Sequence, residues 1–218
     1  MGSDNKPNLP NGMPDMGSSA AGKPLLLLVF TIVPALIGFG IALATYTYGS
    51  TAAYDAKIAT CGDMVWVFAS LIVFNRAVAF INSYPAMISK AKIMRQDSKN
   101  LRANPFIYHT VGDGAVKNTS VVLQDEGDVG EYNRANRSVH HMVENSLPFA
   151  GSIFLVGSYF PFPVFVLTCV WGLGRMAHQI GYTTGYGGHG AGFMLSMIAD
   201  VTVQGLAGIV VLKSSGVM

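Results

Sequence analysis

The sequence predicts an all-α integral membrane protein built from five spanning helices. Half of its 218 residues are hydrophobic and 12% are charged, whereas soluble domains carry roughly 25% charged residues. From Pro24 to Gly49 there is no charge at all, a run longer than the about 20 residues that cross a bilayer. Two polar triplets then interrupt apolar stretches at helical spacing, Arg137, His141 and Glu144 in one and Arg175, His178 and Tyr182 in the other. Each triplet shares one helix face.

Residues 1–23 mix Gly, Pro, Asn, Ser and Asp without periodicity, and such a segment has too little apolar surface to offset ordering. A disordered tail is expected there. Residues 24–49 form the first span, with Pro34 as a kink. Ala42-Leu43-Ala44 resembles a leader cleavage site, but the tail before it lacks a net positive region and the apolar run exceeds a leader core, so the span is read as a retained helix.

A polar connection through Tyr54, Asp55 and Lys57 leads to a second span, Met64 to about Ile88, interrupted by Asn75 and Arg76. Residues 89–132 read as a polar loop. Lys90, Lys92, Arg95, Lys99 and Arg102 cluster at its start, which marks the cytoplasmic side. That side keeps Asn118-Thr119-Ser120 from glycosylation.

Thirty uncharged residues separate Glu144 from Arg175, too many for one span and too few for two full ones. Tyr159-Phe160-Pro161-Phe162-Pro163 breaks the run as a tight hairpin. The third span thus starts near Asn133 and the fourth runs from Pro163 to about Tyr182, which sets both triplets at one membrane level. After the turn Gly185-Tyr186-Gly187-Gly188-His189-Gly190, a fifth span covers Gly192 to Leu212 with Asp200 as its only charge. An odd number of spans places the chain ends on opposite sides.

A net charge of +2, with the densest basic cluster in one loop, is too small to suggest a nucleic-acid partner. Cys61 and Cys169 have no neighbouring ligand pattern, so both read as free thiols and no metal site is expected. Charged groups at membrane depth are costly and mark working sites. Two facing polar stripes make a site for a small anionic or zwitterionic ligand. His141 and His178 on neighbouring helices also leave haem ligation open, and a red sample with a Soret band would reveal it. His140 points to another face, as a packing or interfacial residue.

The run from Asn136 to Phe149 resembles the membrane-associated proteins in eicosanoid and glutathione metabolism, whose pattern is Arg, three residues, Asn, two residues, Glu. Arg137, Glu144, Asn145, Pro148 and Phe149 fit that register. Gly174 to Tyr182 is similar to the same family's Arg, two residues, His or Tyr, three residues, Tyr. Arg102-Ala103-Asn104-Pro105 is a further echo. The resemblance implies a four-helix membrane unit over residues 61–213, of the microsomal glutathione transferase type, with residues 24–49 as an extra N-terminal helix.

It further implies a homotrimer in an endoplasmic reticulum or other organelle membrane, with glutathione bound between subunits. The implied contacts are Arg137, His141, Glu144, Arg175, His178 and Tyr182, with Arg76 as a seventh. The implied activity is glutathione-dependent transfer or peroxide reduction on lipophilic electrophiles or lipid hydroperoxides. Two departures stand out: His141 replaces the family's Asn, and Thr183 to Gly192 contains no Arg where catalytic branches carry one near the glutathione sulfur. Tyr186, His189 and the turn amides are the remaining candidates to activate the thiol. A non-catalytic subunit of the same fold, part of a larger membrane assembly, is the alternative.

Overall fold

A computed structural model describes residues 23–89, 106–112, 120–185 and 187–218. The expected tail, the basic cluster from Lys90 to Arg102, the Ala103-Asn104-Pro105 echo, Asn118-Thr119 and Tyr186 lie outside the described residues.

The chain is mostly helical, with five helices of 20 to 29 residues among the described residues. Helix α1 (Pro24–Tyr48) contains Pro34 and is followed by a short α2 (Thr51–Ile58). Tyr54, Asp55 and Lys57, expected in a connection, are thus helical. Ala52, Ala53 and Ala56 supply good helix formers, and Tyr46 Oη donates to Asp55 Oδ1 at 2.5 Å, which ties α2 back to α1. A single 3₁₀ turn, Gly62–Met64, leads into α3 (Val65–Tyr84), which ends in a π-helical turn, Pro85–Ser89.

The expected polar loop of residues 89–132 contains structure. Strands β1 (Tyr108–Val111) and β2 (Ser120–Leu123) pair antiparallel, with Tyr108 opposite Leu123 and Val111 opposite Ser120. Val111, Val121 and Val122 suit a strand, but these four-residue runs are too short to stand out in sequence. The hairpin is pinned by buried Asn133, whose Oδ1 accepts from the Ile107 amide at 2.9 Å. Asn133 Nδ2 donates to the carbonyls of Ile107 and Gln124, each at 2.7 Å.

Helix α4 (Gly127–Leu155) begins before Asn133, where the sequence put it. Gly127 adopts φ +58°, which turns the chain into the helix, and Val129 and Tyr132 are buried in its first turns. Helix α5 (Pro161–Thr184) starts at Pro161 rather than Pro163, because proline's fixed φ suits the first helical turn. Helix α6 (Gly190–Ser214) completes the bundle.

Among the described residues, three stretches are long and apolar enough to cross a membrane: Pro24–Tyr48, Gly62–Ser89 and Gly190–Ser214. Helices α4 and α5 are less apolar because they carry the two polar triplets. Leu147, Leu155, Leu173, Ile180 and Val201 all face outward, as lipid-facing side chains do.

The core lies among α3, α4, α5 and α6. Phe149 and Trp171 stack with ring centroids 4.7 Å apart and planes within 9°, and Phe74 stacks on Trp171 at 5.2 Å. Helices α5 and α6 meet at glycines. A Cβ on Gly174 would lie 2.7 Å from the Ser196 amide nitrogen, and one on Gly192 would strike the His178 amide. Small residues allow this close backbone approach, and it brings the start of α6 against the middle of α5.

Candidate binding cleft at the convergence of three helices

Close packing of α5 on α6 and of α5 on α4 leaves a cleft of about 220 Å³, lined by Arg137, Ser138 and His141 from α4, His178 and Tyr182 from α5, and His189 and Phe193 at the start of α6. Both polar triplets contribute to it. The rings are in mutual contact: His141 lies 5.7 Å from His178, His178 lies 5.5 Å from Tyr182, and Tyr182 meets His189 edge-on at 5.0 Å.

Arg175 sits behind this wall. It is 4% exposed, lies over the Trp171 ring at 5.7 Å, and places Nη1 3.1 Å from His141 Nδ1. A guanidinium only donates, so Nδ1 is the accepting nitrogen and the His141 ring proton sits on Nε2. His178 shows the opposite arrangement. Its Nδ1 faces the His189 carbonyl at 3.5 Å; a carbonyl only accepts, so the proton is on Nδ1 and Nε2 is an acceptor. One cleft histidine therefore offers a donor and the other an acceptor.

Among the described residues no carboxylate forms an ion pair with Arg175, and its Nε has no partner. Asp200 acts on it only at longer range and accepts from Gln204 Nε2 on its own helix at 3.2 Å, rather than from a neighbouring helix. Arg137 does have a partner, Glu144 Oε1 at 3.3 Å, but both are about half exposed. The site thus combines a half-exposed Arg137 in its wall, paired with Glu144 outside the lining, with a buried positive charge behind it. An anion entering the cleft meets Arg137, the His141 N–H and the field of Arg175 together.

Arg76 is not brought to this cleft within the chain. It lies on α3 with Nη1 3.3 Å from the Thr31 carbonyl, and lines a different cavity. His140 is exposed and packs edge-on against Phe106 at 4.9 Å. Two lining residues escaped the sequence reading. Ser138 lies three residues before His141, so helical offset alone would have found it. Phe193 carries no polar signal, and its contact with both histidines, at 5.6 and 5.9 Å, depends on the glycine-mediated packing of α6.

A bundle of long apolar helices around a cationic cleft defines the class: an integral membrane protein. The MAPEG family model matches residues 65–209, well over half of the sequence, and the chain belongs to that family. The match begins at Val65, so α1 and α2 precede it. No curated protein and no solved structure matches the chain. The family generally uses glutathione.

Proposed function

We propose that the cleft binds glutathione and that the protein uses it for transfer or peroxide reduction on lipophilic electrophiles or lipid hydroperoxides. The observation that carries this reading is Arg175: a buried guanidinium with no carboxylate in ion-pair contact among the described residues and Asp200 acting only at longer range, bonded to a histidine that lines the cleft. A buried charge with no directly paired counter-ion costs several kcal/mol, and an anionic ligand offsets that cost. Arg137 and the His141 Nε2–H take a carboxylate, Glu144 takes the ammonium, and His178 and Tyr182 face the remainder of the peptide.

When bound, glutathione supplies a thiol nucleophile. His189 is the side chain best placed to hold the thiol proton, since it lines the cleft and its buried Nδ1 has no partner among the described residues. Tyr186 remains a second candidate by sequence. At about 220 Å³ the cleft falls below the roughly 300–1,000 Å³ of sites that enclose a whole small ligand. One protomer therefore holds part of the tripeptide and a neighbouring subunit of a homotrimer covers the rest. Electrophiles dissolved in an endoplasmic reticulum or other organelle membrane reach such a boundary at raised local concentration.

Isothermal titration of glutathione into the detergent-solubilised protein tests this reading. Heat with the native chain and none with Arg175→Met supports it, and no heat with the native chain overturns it. A second reading, a non-catalytic binding subunit, is favoured by the lack of any Arg between Thr183 and Gly192. Conjugation of a chlorodinitrobenzene electrophile separates the two: activity that falls in His189→Ala supports the enzyme, whereas glutathione binding without turnover supports the binding subunit.

A further inference from the structure

A second cavity, of about 550 Å³, opens between α1 and the faces of α3 and α5. We propose that it holds a single-chain lipid with an anionic head, the head on Arg76 and the acyl chain against Ile32, Ile72 and Leu173. The proposal is independent of the glutathione reading.

The gap arises from how α1 is attached. Near its start, Leu27 is buried and the Lys23 amide donates to the Met87 carbonyl at 2.9 Å. Beyond Thr31 the helix turns apolar side chains outward, with Leu36, Ile37, Phe39 and Ile41 all exposed. A helix held at one end leaves a slot beside the bundle that is open to the bilayer. Its wall also includes Phe80 and Cys169.

Among the described residues lining this slot, Arg76 carries the only charge. Among the described residues no carboxylate pairs with it, and its bond is to the Thr31 carbonyl. A guanidinium at hydrocarbon depth is costly unless it is paired, and it forks onto carboxylate or phosphate oxygens. Apolar walls with one cation at the rim complement an acyl chain ending in an anion. The slot is also separate from the cleft. Cys169, Leu173 and Met176 turn toward α1 and α3, whereas His178 and Tyr182 turn toward α4 and α6. Because α1 forms one wall and precedes the family match, the four-helix unit alone lacks this site.

Cys169 is partly buried in the wall and reports occupancy. The full chain carrying Cys61→Ala, in phosphatidylcholine vesicles, is labelled with a maleimide in the presence of oleate, oleoyl lysophosphatidate or oleyl alcohol. An anionic amphiphile at about ten times its dissociation constant should slow Cys169 labelling about tenfold, in proportion to the open fraction. Oleyl alcohol should not. Protection by oleate alone assigns a carboxylate head, by lysophosphatidate alone a phosphate head, and either supports the proposal. Arg76→Ala should abolish protection and Arg76→Lys restore part of it, while Leu173→Trp should block it with Arg76 intact. Equal protection by oleyl alcohol overturns the proposal, as does protection that persists in Arg76→Ala. It is also overturned by slow labelling that needs no amphiphile and follows protein density, which would place a second copy in the slot. Loss of the glutathione heat in Arg76→Ala with oleate protection intact would assign Arg76 to a neighbour's cleft and sink it too.

Discussion

Arg175 Nη1 lies 3.1 Å from His141 Nδ1, although 34 residues separate them. The contact makes each residue depend on the other. His141→Leu would leave the guanidinium with no side-chain acceptor in a buried position, and stranding a buried charged donor costs at least about 2 kcal/mol. His141→Asn would keep an acceptor through its amide oxygen. We expect the leucine variant to unfold at clearly lower temperature in detergent and the asparagine variant to stay near the native protein. Equal melting of the two would show that the contact carries no stability.

Arg137 and Glu144 should behave differently. Their ion pair is about half exposed, and exposed pairs contribute only about 0–1 kcal/mol. Arg137→Ala should therefore leave the melting temperature almost unchanged while it weakens glutathione binding about tenfold or more, the scale of one lost charge-assisted hydrogen bond. Titration and thermal unfolding on the same sample check both halves. A large loss of stability with unchanged binding would remove Arg137 from the site.

These contrasts show what the sequence made legible. The long apolar runs of α1, α3 and α6 are properties of composition, and the two triplets are properties of helical offset, so both could be read without coordinates. Which member faces the cleft and which sits behind it was not readable, because Arg175 and His178 occupy one face and differ only in depth. The short strands at Tyr108–Val111 and Ser120–Leu123 lacked the length that makes alternation visible, and the residue that pins the hairpin, Asn133, lies 26 residues beyond its partner Ile107. Arg76 reads from composition as one more polar interruption, and only the packing of α1 on α3 gives it a separate cavity.

Asn133 makes a direct prediction. It is fully buried and makes three hydrogen bonds that join the start of α4 to the hairpin. At about 1 kcal/mol each, and with the Ile107 carbonyl still held by the Gln124 amide at 3.0 Å, Asn133→Ala should cost roughly 2–3 kcal/mol locally. Because β1 and β2 pair mainly with each other, this loss should appear as faster amide exchange over residues 106–112 and 120–124 while α3 and α5 stay protected. Uniform acceleration across the bundle would instead make the hairpin part of one cooperative core.

Gly174 links packing to the site. Its missing Cβ would sit 2.7 Å from the Ser196 nitrogen and 2.9 Å from the Gly192 carbonyl oxygen, both backbone atoms that cannot rotate aside. Gly174→Ala therefore has to push α6 away from α5. Overpacking of this kind typically costs about 1–3 kcal/mol, and alanine's better helix propensity recovers at most about 1 kcal/mol of that. The displaced helix carries His189 at its cap and Phe193 in its first turn, so the cleft should widen on that side while Arg137 and His141 stay in place. We expect lower stability together with weaker glutathione binding, although Gly174 touches no part of the cleft. Gly205→Ala, also helical but with nothing within 4 Å of its added Cβ, should change neither. If Gly174→Ala proved as harmless as Gly205→Ala, close approach of α5 and α6 would not be what positions His189 and Phe193.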